Sequence, residues 1–428
     1  MMHLFINSLA ASAGGGLTYI RNVLPHLAGR PDLRVTVALN SGLREEFHFG
    51  GNIDFLEVTV PGTRRFWFEQ ATLPGMVQRS HADVLLSTGN IALRRSPVPQ
   101  VLLSRNSIYL SPDFYRDLRS RHDYRGWLDT RLRALIARKS IAWADLTVAP
   151  SKAFAAELTR WSGKEILSIH HGFDHDAFTK SSEPLAPDAQ AKLRDAEDSL
   201  KLLFVSHYNY YRNFETLIRS LPVLRDRLRT RSIKLLLTCH LQPGKNPGNY
   251  NPESARKLVK TLGVSDMVVE LGPIPYRQLH QLYACADAYV TPAYAETFAH
   301  PLVEAMASGV PVIASDIPVH REICAEAAVY FPKFSPQALA ENVSRIASSP
   351  ETMNRMAAAG RAQSHQFSWK AHVDKTLDLC ATLVSRTTRK EAPAEIPVDH
   401  ATAAQNPRKG PAENQTGAAM SGYLGERQ

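Results

Sequence analysis

The sequence predicts an α/β protein made of two doubly wound units facing each other across a cleft. Short apolar runs of strand length alternate with longer segments of 3.6-residue period, the pattern of strand-helix-strand units around parallel sheets. The alternation lapses once, between residues 172 and 200, and then restarts. The 428 residues suffice for two units that each bury an ordinary core. Such sheets bind ligands beyond the carboxyl ends of their strands, which places a site between the units.

In the first unit, residues 1–172, strands are expected at 4–6, 35–39, 84–87, 101–103, 146–149 and 166–169. Its clearest helices run over 17–27, 128–143 and 151–161, the last with Ser151 as N-cap. Residues 173–199, a mixture of Pro, Ser, Asp and Ala, read as a connector. The second unit, 200–366, repeats the pattern with strands at 202–205, 233–238, 267–271, 288–291 and 312–314. Helices are expected between them at 213–225, 253–262, 276–285, 301–308, 335–346 and 351–365. A closing helix occupies 367–388. From 389 onward Ala, Pro, Glu and Asn dominate, large apolar residues are scarce, and a disordered tail is expected.

Composition removes several function classes. With 44% hydrophobic and 21% charged residues the chain is neither wholly disordered nor collagen-like. Cys239, Cys285, Cys324 and Cys380 lie too far apart for a CxxC clip or a disulfide framework, so a reducing cytoplasm is expected. The amino terminus lacks a basic region and is broken by Asn7, Ser8 and three glycines, so it reads as a first strand and loop rather than a signal peptide. No apolar run reaches about 18 residues, the length of a membrane span. The net charge is +9, and between Arg116 and Lys139 eight basic residues face three acidic ones. No zinc-finger, RNP or basic-zipper pattern accompanies them, which argues against nucleic acid and leaves either a solvated helix face or a surface for an anionic lipid or an anionic acceptor.

The chemistry concentrates in Y-A-E-T-F-A-H-P-L-V-E-A-M-A-S-G-V-P-V-I-A-S at 294–315. A strand ending near Pro292 enters a loop containing Glu296, Thr297, Phe298, Ala299 and His300, and Pro301 suits the first helical position because its missing N–H costs nothing there. The unsatisfied N–H groups around His300 to Val303 would face a pyrophosphate. Glu304, in the first turn, can accept from the vicinal hydroxyls of a ribose, and Glu296 from hydroxyls of a second ring. Two acceptors flanking an anion site describe a sugar nucleotide.

This segment closely resembles the E-x7-E region of the retaining glycosyltransferases of family 4. Those have the GT-B fold, two facing doubly wound Rossmann-like domains with an interdomain cleft. His171-Gly172-Phe173-Asp174, with Phe178, is similar to the family's Asn-Gly-x-Asp-x-x-x-Phe junction between domains. The run L-F-V-S-H-Y-N-Y-Y-R-N at 203–213 resembles its strand and loop ending Gly-Arg-…-Lys-Gly/Asn, and Phe367-Ser368-Trp369 matches the start of its last helix.

The resemblance implies that His207 and Arg212 neutralise the donor pyrophosphate, with Ser206 in place of glycine. Arg212 can bind phosphate bidentately at any pH, whereas a neutral His207 donates one hydrogen bond and a protonated one would make activity fall at alkaline pH. It further implies that Gly14, Gly15 and Gly16, between the first strand and helix, face the donor phosphate and the acceptor. Arg105 and Asn106 stand near where family members often carry a histidine. Catalysis is thus expected of Glu296, Arg212 and His207, and donor binding of Gly15, Gly16, Thr297, Phe298, Ala299, His300 and Glu304. Asp174-His175-Asp176 is formally a D-x-D metal signature, but it falls in the junction of a fold that works without metal, so no metal and no cofactor beyond the donor are expected. The implied activity is transfer of a hexose, with retention, from a nucleoside-diphosphate sugar to a hydroxyl of a saccharide or glycolipid, in the cytoplasm or at the inner face of its membrane. A sugar-nucleotide epimerase of the same fold and a non-catalytic nucleotide-sugar-binding protein are the alternatives.

Overall fold

The structure is a computed structural model that describes residues 1–11, 15–180, 183–246, 248 and 250–389. Gly14 and the expected tail from 390 lie outside the described residues. The first lobe holds β1 (Met2–Asn7), β2 (Leu33–Asn40), β3 (Ile53–Val58), β4 (Val84–Ser87), β5 (Gln100–Leu103), β6 (Leu146–Ala149) and β7 (Leu167–Ser168), paired in the order β3-β2-β1-β4-β5-β6-β7. The second holds β8 (Leu200–Phe204), β9 (Ile233–Leu237), β10 (Val268–Glu270), β11 (Ala288–Thr291), β12 (Val312–Ser315) and β13 (Ala328–Phe331), in the order β10-β9-β8-β11-β12-β13. Every recorded pairing is parallel, as expected of strands that read as continuous apolar runs buried on both faces.

Strand order reverses between β1 and β4 in the first sheet and between β8 and β11 in the second. A crevice opens at such a reversal because the connections on its two sides leave in opposite directions. The loops that leave β1, β8 and β11 carry Gly15–Gly16, His207–Arg212 and Glu296–His300. The fold therefore brings the three sequence motifs to the one part of each sheet where a ligand fits.

Several elements depart from the sequence reading. The strands β3 and β13 were not expected: β3 is an edge strand that exposes Asp54 and Glu57 and buries only Ile53 and Val58, so it shows neither a continuous apolar run nor a period of two, and β13 is a four-residue edge strand after a short turn. The stretch 173–199 contains helices His175–Thr179 and Pro187–Arg194, whose Phe178 and Ala189 join a core cluster with Tyr283 and Phe298 of the second lobe. The helix expected at 128–143 begins four residues earlier, at Tyr124, with Asp123 capping the N–H of Gly126. Ser151 caps helix Lys152–Ser162 as expected, accepting from Phe154 N. The four cysteines are unbridged. No helix among the described residues is long and apolar enough to cross a membrane.

The last helix, Trp369–Arg389, returns to the first lobe and packs on helix Gly15–Leu27. Gly172 permits this: a Cβ there would collide with the backbone of Trp369. Tyr19 Oη lies 3.1 Å from His372 Nε2, and Arg30 pairs with Asp374.

Candidate active site between the lobes

The loop after β11 ends in Ala299, held at φ 65°, and helix His300–Ala307 follows with no side-chain cap. His300 takes the first helical position and Pro301 the second, one residue later than the sequence indicated. Among the described residues no side chain caps the amino end of this helix; Pro301 has no N–H and Leu302 N–H bonds the Ala299 carbonyl at 3.0 Å, so the N–H of His300 is what this end offers an anion. Phe298 is buried against Phe367 and His171, leaving only its backbone for a ligand. The carbonyl of Thr297 accepts from Ser151 Oγ of the first lobe at 2.8 Å, which fixes the loop against the opposite wall.

Glu304 is 5% exposed and accepts from Tyr283 Oη at 2.9 Å. Burial pushes its carboxyl up to about 7, which leaves it half-ionised near neutrality. Glu296 is 8% exposed and forms an ion pair with Arg212 across the space between the β8 and β11 loops. Arg212 Nε is buried without a hydrogen-bond partner. Asn209 places this arginine by accepting from its backbone N–H at 3.2 Å. Asn213, at φ 57°, then reaches back with its amide to the carbonyls of Pro292 and Lys333, so the cation and the glutamate loop are tied together.

His207 projects from the same loop and is exposed. Burial of part of the ring and then the Arg212 charge hold its pKa below the usual histidine value, which favours the neutral imidazole. His300 is held at about 4 by burial and by the Arg105 charge. Its Nε2 lies 3.2 Å from Nδ1 of His171, and both rings lie over Trp369.

Gly15 and Gly16 form the first turn of helix Gly15–Leu27, and a Cβ on Gly16 would come within 3.2 Å of Ala11 Cα, tighter than ordinary contact. The carbonyl of Gly15 accepts from Arg105 Nη1 at 2.9 Å, and Thr88 O accepts from Nη2 at 2.7 Å. Arg105 lies over the Tyr19 ring and has no carboxylate partner recorded among the described residues. Burial lowers its pKa to about 10, so it remains a cation. A charge in this setting is costly unless something anionic completes it.

A cleft of about 420 Å³ adjoins Glu296, lined by Ser107, Ser111 and Trp161 of the first lobe and by Val319 and Lys333 of the second. Asp113 and Lys333 pair across it. Asp174 and Asp176 of the formal D-x-D both have structural partners, the first capping Ala177 N at 2.9 Å and the second pairing with Lys180 at 3.2 Å. Sequence reasoning did not find Tyr283 or His372, nor the contacts of His171 with His300 and of Ser151 with Thr297, because each acts through a partner far away in the chain.

Two family models match the chain, glycosyl transferases group 1 over residues 186–363 and glycosyltransferase family 4 over residues 13–177. The chain is a group 1 glycosyltransferase of family 4. This glycosyltransferase is 27% identical over 263 residues to a D-inositol 3-phosphate glycosyltransferase of Streptomyces griseus subsp. griseus, covering 58% of this chain and 56% of that one. It is 28% identical over 255 residues to the protein of that name from Streptosporangium roseum, covering 58% of each. The chain thus spans little more than half the length of these curated relatives. Among solved structures, sucrose-phosphate synthase from Thermosynechococcus elongatus superposes with a TM-score of 0.70 at 18% identity, covering 90% of this chain and all of that one. Anabaena HepE in complex with UDP-glucose gives 0.66 at 18% identity, over 89% of this chain and all of that one. The glycosyltransferase therefore has the two-lobed GT-B fold.

Proposed function

We propose that the protein transfers a hexose, with retention of configuration, from a nucleoside-diphosphate sugar to a hydroxyl of a saccharide or glycolipid, without a metal ion. The observation that carries this reading is the convergence of Arg212, Glu296, Glu304 and an uncapped helix end at the strand-order reversal of the second sheet. The UDP-glucose in complex with HepE and the D-inositol 3-phosphate in the name of the Streptomyces relative are in keeping with it.

In this reading Arg212 spends one nitrogen on Glu296 and offers its partnerless Nε side to a phosphate. Negative charge grows on the departing diphosphate in an oxocarbenium-like transition state. Arg212, His207 as a neutral donor and the helix end at His300 share that charge. Their dipoles and charges are fixed before reaction, which is what makes such stabilisation effective. Glu296 positions the sugar ring and Glu304 holds the ribose. Arg105, beside Gly15 on the other wall, supplies a second cation for the donor phosphates or an anionic acceptor. Closure of the lobes over the donor excludes water, whose attack is the competing reaction. The reading includes a cytoplasmic location and a peripheral contact with anionic membrane through residues 116–139.

Incubation with a panel of UDP-, GDP- and ADP-sugars tests it. Release of the nucleoside diphosphate from one donor is expected, together with its loss in Glu296→Ala. Binding of a nucleotide sugar with no turnover, unchanged by that substitution, would instead mark a binding protein.

A further inference from the structure

Helix Tyr124–Trp143 has its apolar faces inverted. Its fully buried residues are mostly small, Thr130, Ala134, Ala137 and Ser140 with Ile141, while Trp127 and Trp143 pack partly buried against the core clusters. Outward it presents Tyr124, Leu128, Leu132 and Leu135, each between 53% and 61% exposed. These are four of the eight large apolar side chains exposed among the described residues. Spacings of four, four and three residues confine them to one stripe about 17 Å long, on the side away from the lobe. A surface helix of a soluble domain normally shows the reverse arrangement.

The stripe is flanked by charge of one sign. Arg125, Arg131, Arg138 and Lys139 are exposed, and none has a carboxylate partner recorded among the described residues. Arg131 lies over the Tyr115 and Trp127 rings, 4.3 and 5.1 Å from their centroids. The acidic residue on this helix, Asp129, is taken by Arg133 at 2.7 Å. A second copy docking face to face would set these four cations against themselves. A bilayer with anionic headgroups matches both features, accepting leucines at acyl depth and cations at headgroup depth.

We infer that helix Tyr124–Trp143 lies in the plane of an anionic membrane with Tyr124, Leu128, Leu132 and Leu135 inserted below the headgroups. This rests on the proposed membrane contact and changes its basis, from a charge attraction to insertion guided by charge.

Flotation of the full chain with vesicles of phosphatidylcholine, with and without phosphatidylglycerol, tests the inference. Binding to the phosphatidylglycerol vesicles is expected at low salt, weakened but not abolished at high salt. The variant Leu128→Ser/Leu132→Ser/Leu135→Ser should partition at least about tenfold more weakly, since three leucines no longer leave water. In a separate variant, Leu132→Trp, indole emission should shift to the blue on adding vesicles. Undiminished partition of the serine variant, complete release by salt, or no binding at all would overturn insertion. So would a dimer of the parent chain that the serine variant dissolves, which would assign the stripe to a second copy. Release of nucleoside diphosphate from the soluble donor should be equal in parent and serine variant, so a failed donor assignment is read independently of a failed membrane one.

Discussion

Arg212 and Glu296 neutralise each other, and that pairing has consequences for binding and for chemistry that can be separated. In Glu296→Gln the guanidinium loses its counter-charge and is left to attract a diphosphate more strongly, while the sugar ring loses a charged acceptor. Nucleoside diphosphate should therefore bind at least as tightly as before, by calorimetry, while transfer falls by about a hundredfold, the usual loss on removing one preorganised charge partner. Weaker diphosphate binding in this variant would refute the pairing as the state from which the donor binds. Glu304 offers a pH-dependent test. Its carboxyl titrates at about 7 because it is buried, and hydroxyls that donate to it favour the ionised form. Donor binding should then release a proton near neutrality, so affinity rises as pH increases through about 7, and Glu304→Gln should flatten that rise. A wild-type affinity independent of pH from 6 to 8, a span of about one unit on each side of that value, would remove Glu304 from the ribose. The placement of both glutamates was legible in the sequence, since a strand, a loop and a helix with proline in its first turn fix where each lies. The Tyr283 bond to Glu304 was not, because it joins positions whose contact only the packed sheet creates.

The C-terminal helix shows how an element can be held by uncharged histidines. His372 meets Tyr19, Trp369 lies over His300 and His171, and His372 Nδ1 is 2.8 Å from the carbonyl of His170. His300 and His372 titrate at about 4, as does His320 beneath β12, because burial disfavours their charged forms. Above the usual histidine value of about 6.5 neither folded nor unfolded chain protonates them and they leave stability unchanged. Between 6.5 and 4 the unfolded chain takes up protons that the folded chain refuses, so stability falls as pH falls. Glu304 acts in the opposite sense: the folded carboxyl keeps a proton up to about 7 that the unfolded one sheds, so its share of stability is lost as pH rises toward 7. The three histidines shift by about as much as the single glutamate and outnumber it. Denaturant unfolding should show stability rising from pH 4 to about 6.5, with hydrogen exchange in helix Trp369–Arg389 accelerating first on acidification. A stability maximum near pH 4.5 would reverse that balance. The sequence showed the helix through its start at Phe367-Ser368-Trp369, but not its return to the first lobe, which depends on Gly172 letting the chain cross.

At the scale of the molecule the two lobes were legible as separate α/β units, and their clasp was not. Periodicity reports what a segment buries, without naming what it buries it against. In the structure Phe114 and Leu118 of the first lobe sit in a core cluster with Leu202, Phe214 and Tyr294 of the second. Arg121 reaches Asp117 at 2.6 Å, Glu215 at 2.8 Å and Ser254 at 2.6 Å, and lies over Tyr210. Tyr294 Oη donates to Asp117, and Glu322 accepts from the backbone N–H groups of Lys152 and Ala153. Lobes joined by a flexible connector alone would melt one after the other, because each has its own sheet. Lobes sharing a core and a half-buried ion network lose part of that core when either unfolds, which couples their transitions. Calorimetry should therefore show one endotherm for residues 1–389. Arg121→Ala should lower its midpoint by an amount equivalent to about 3 kcal/mol, because Asp117 and Glu215 are left without their cation while still partly shielded from water. Arg121→Met, which keeps the packing on Tyr210 but not the charge, should recover only the packing part of that loss. Two resolved endotherms in the parent protein, or an Arg121→Ala midpoint equal to the parent's, would mean that the clasp contributes nothing to holding the cleft's walls together, and the donor site would then have to be assembled anew in each catalytic cycle.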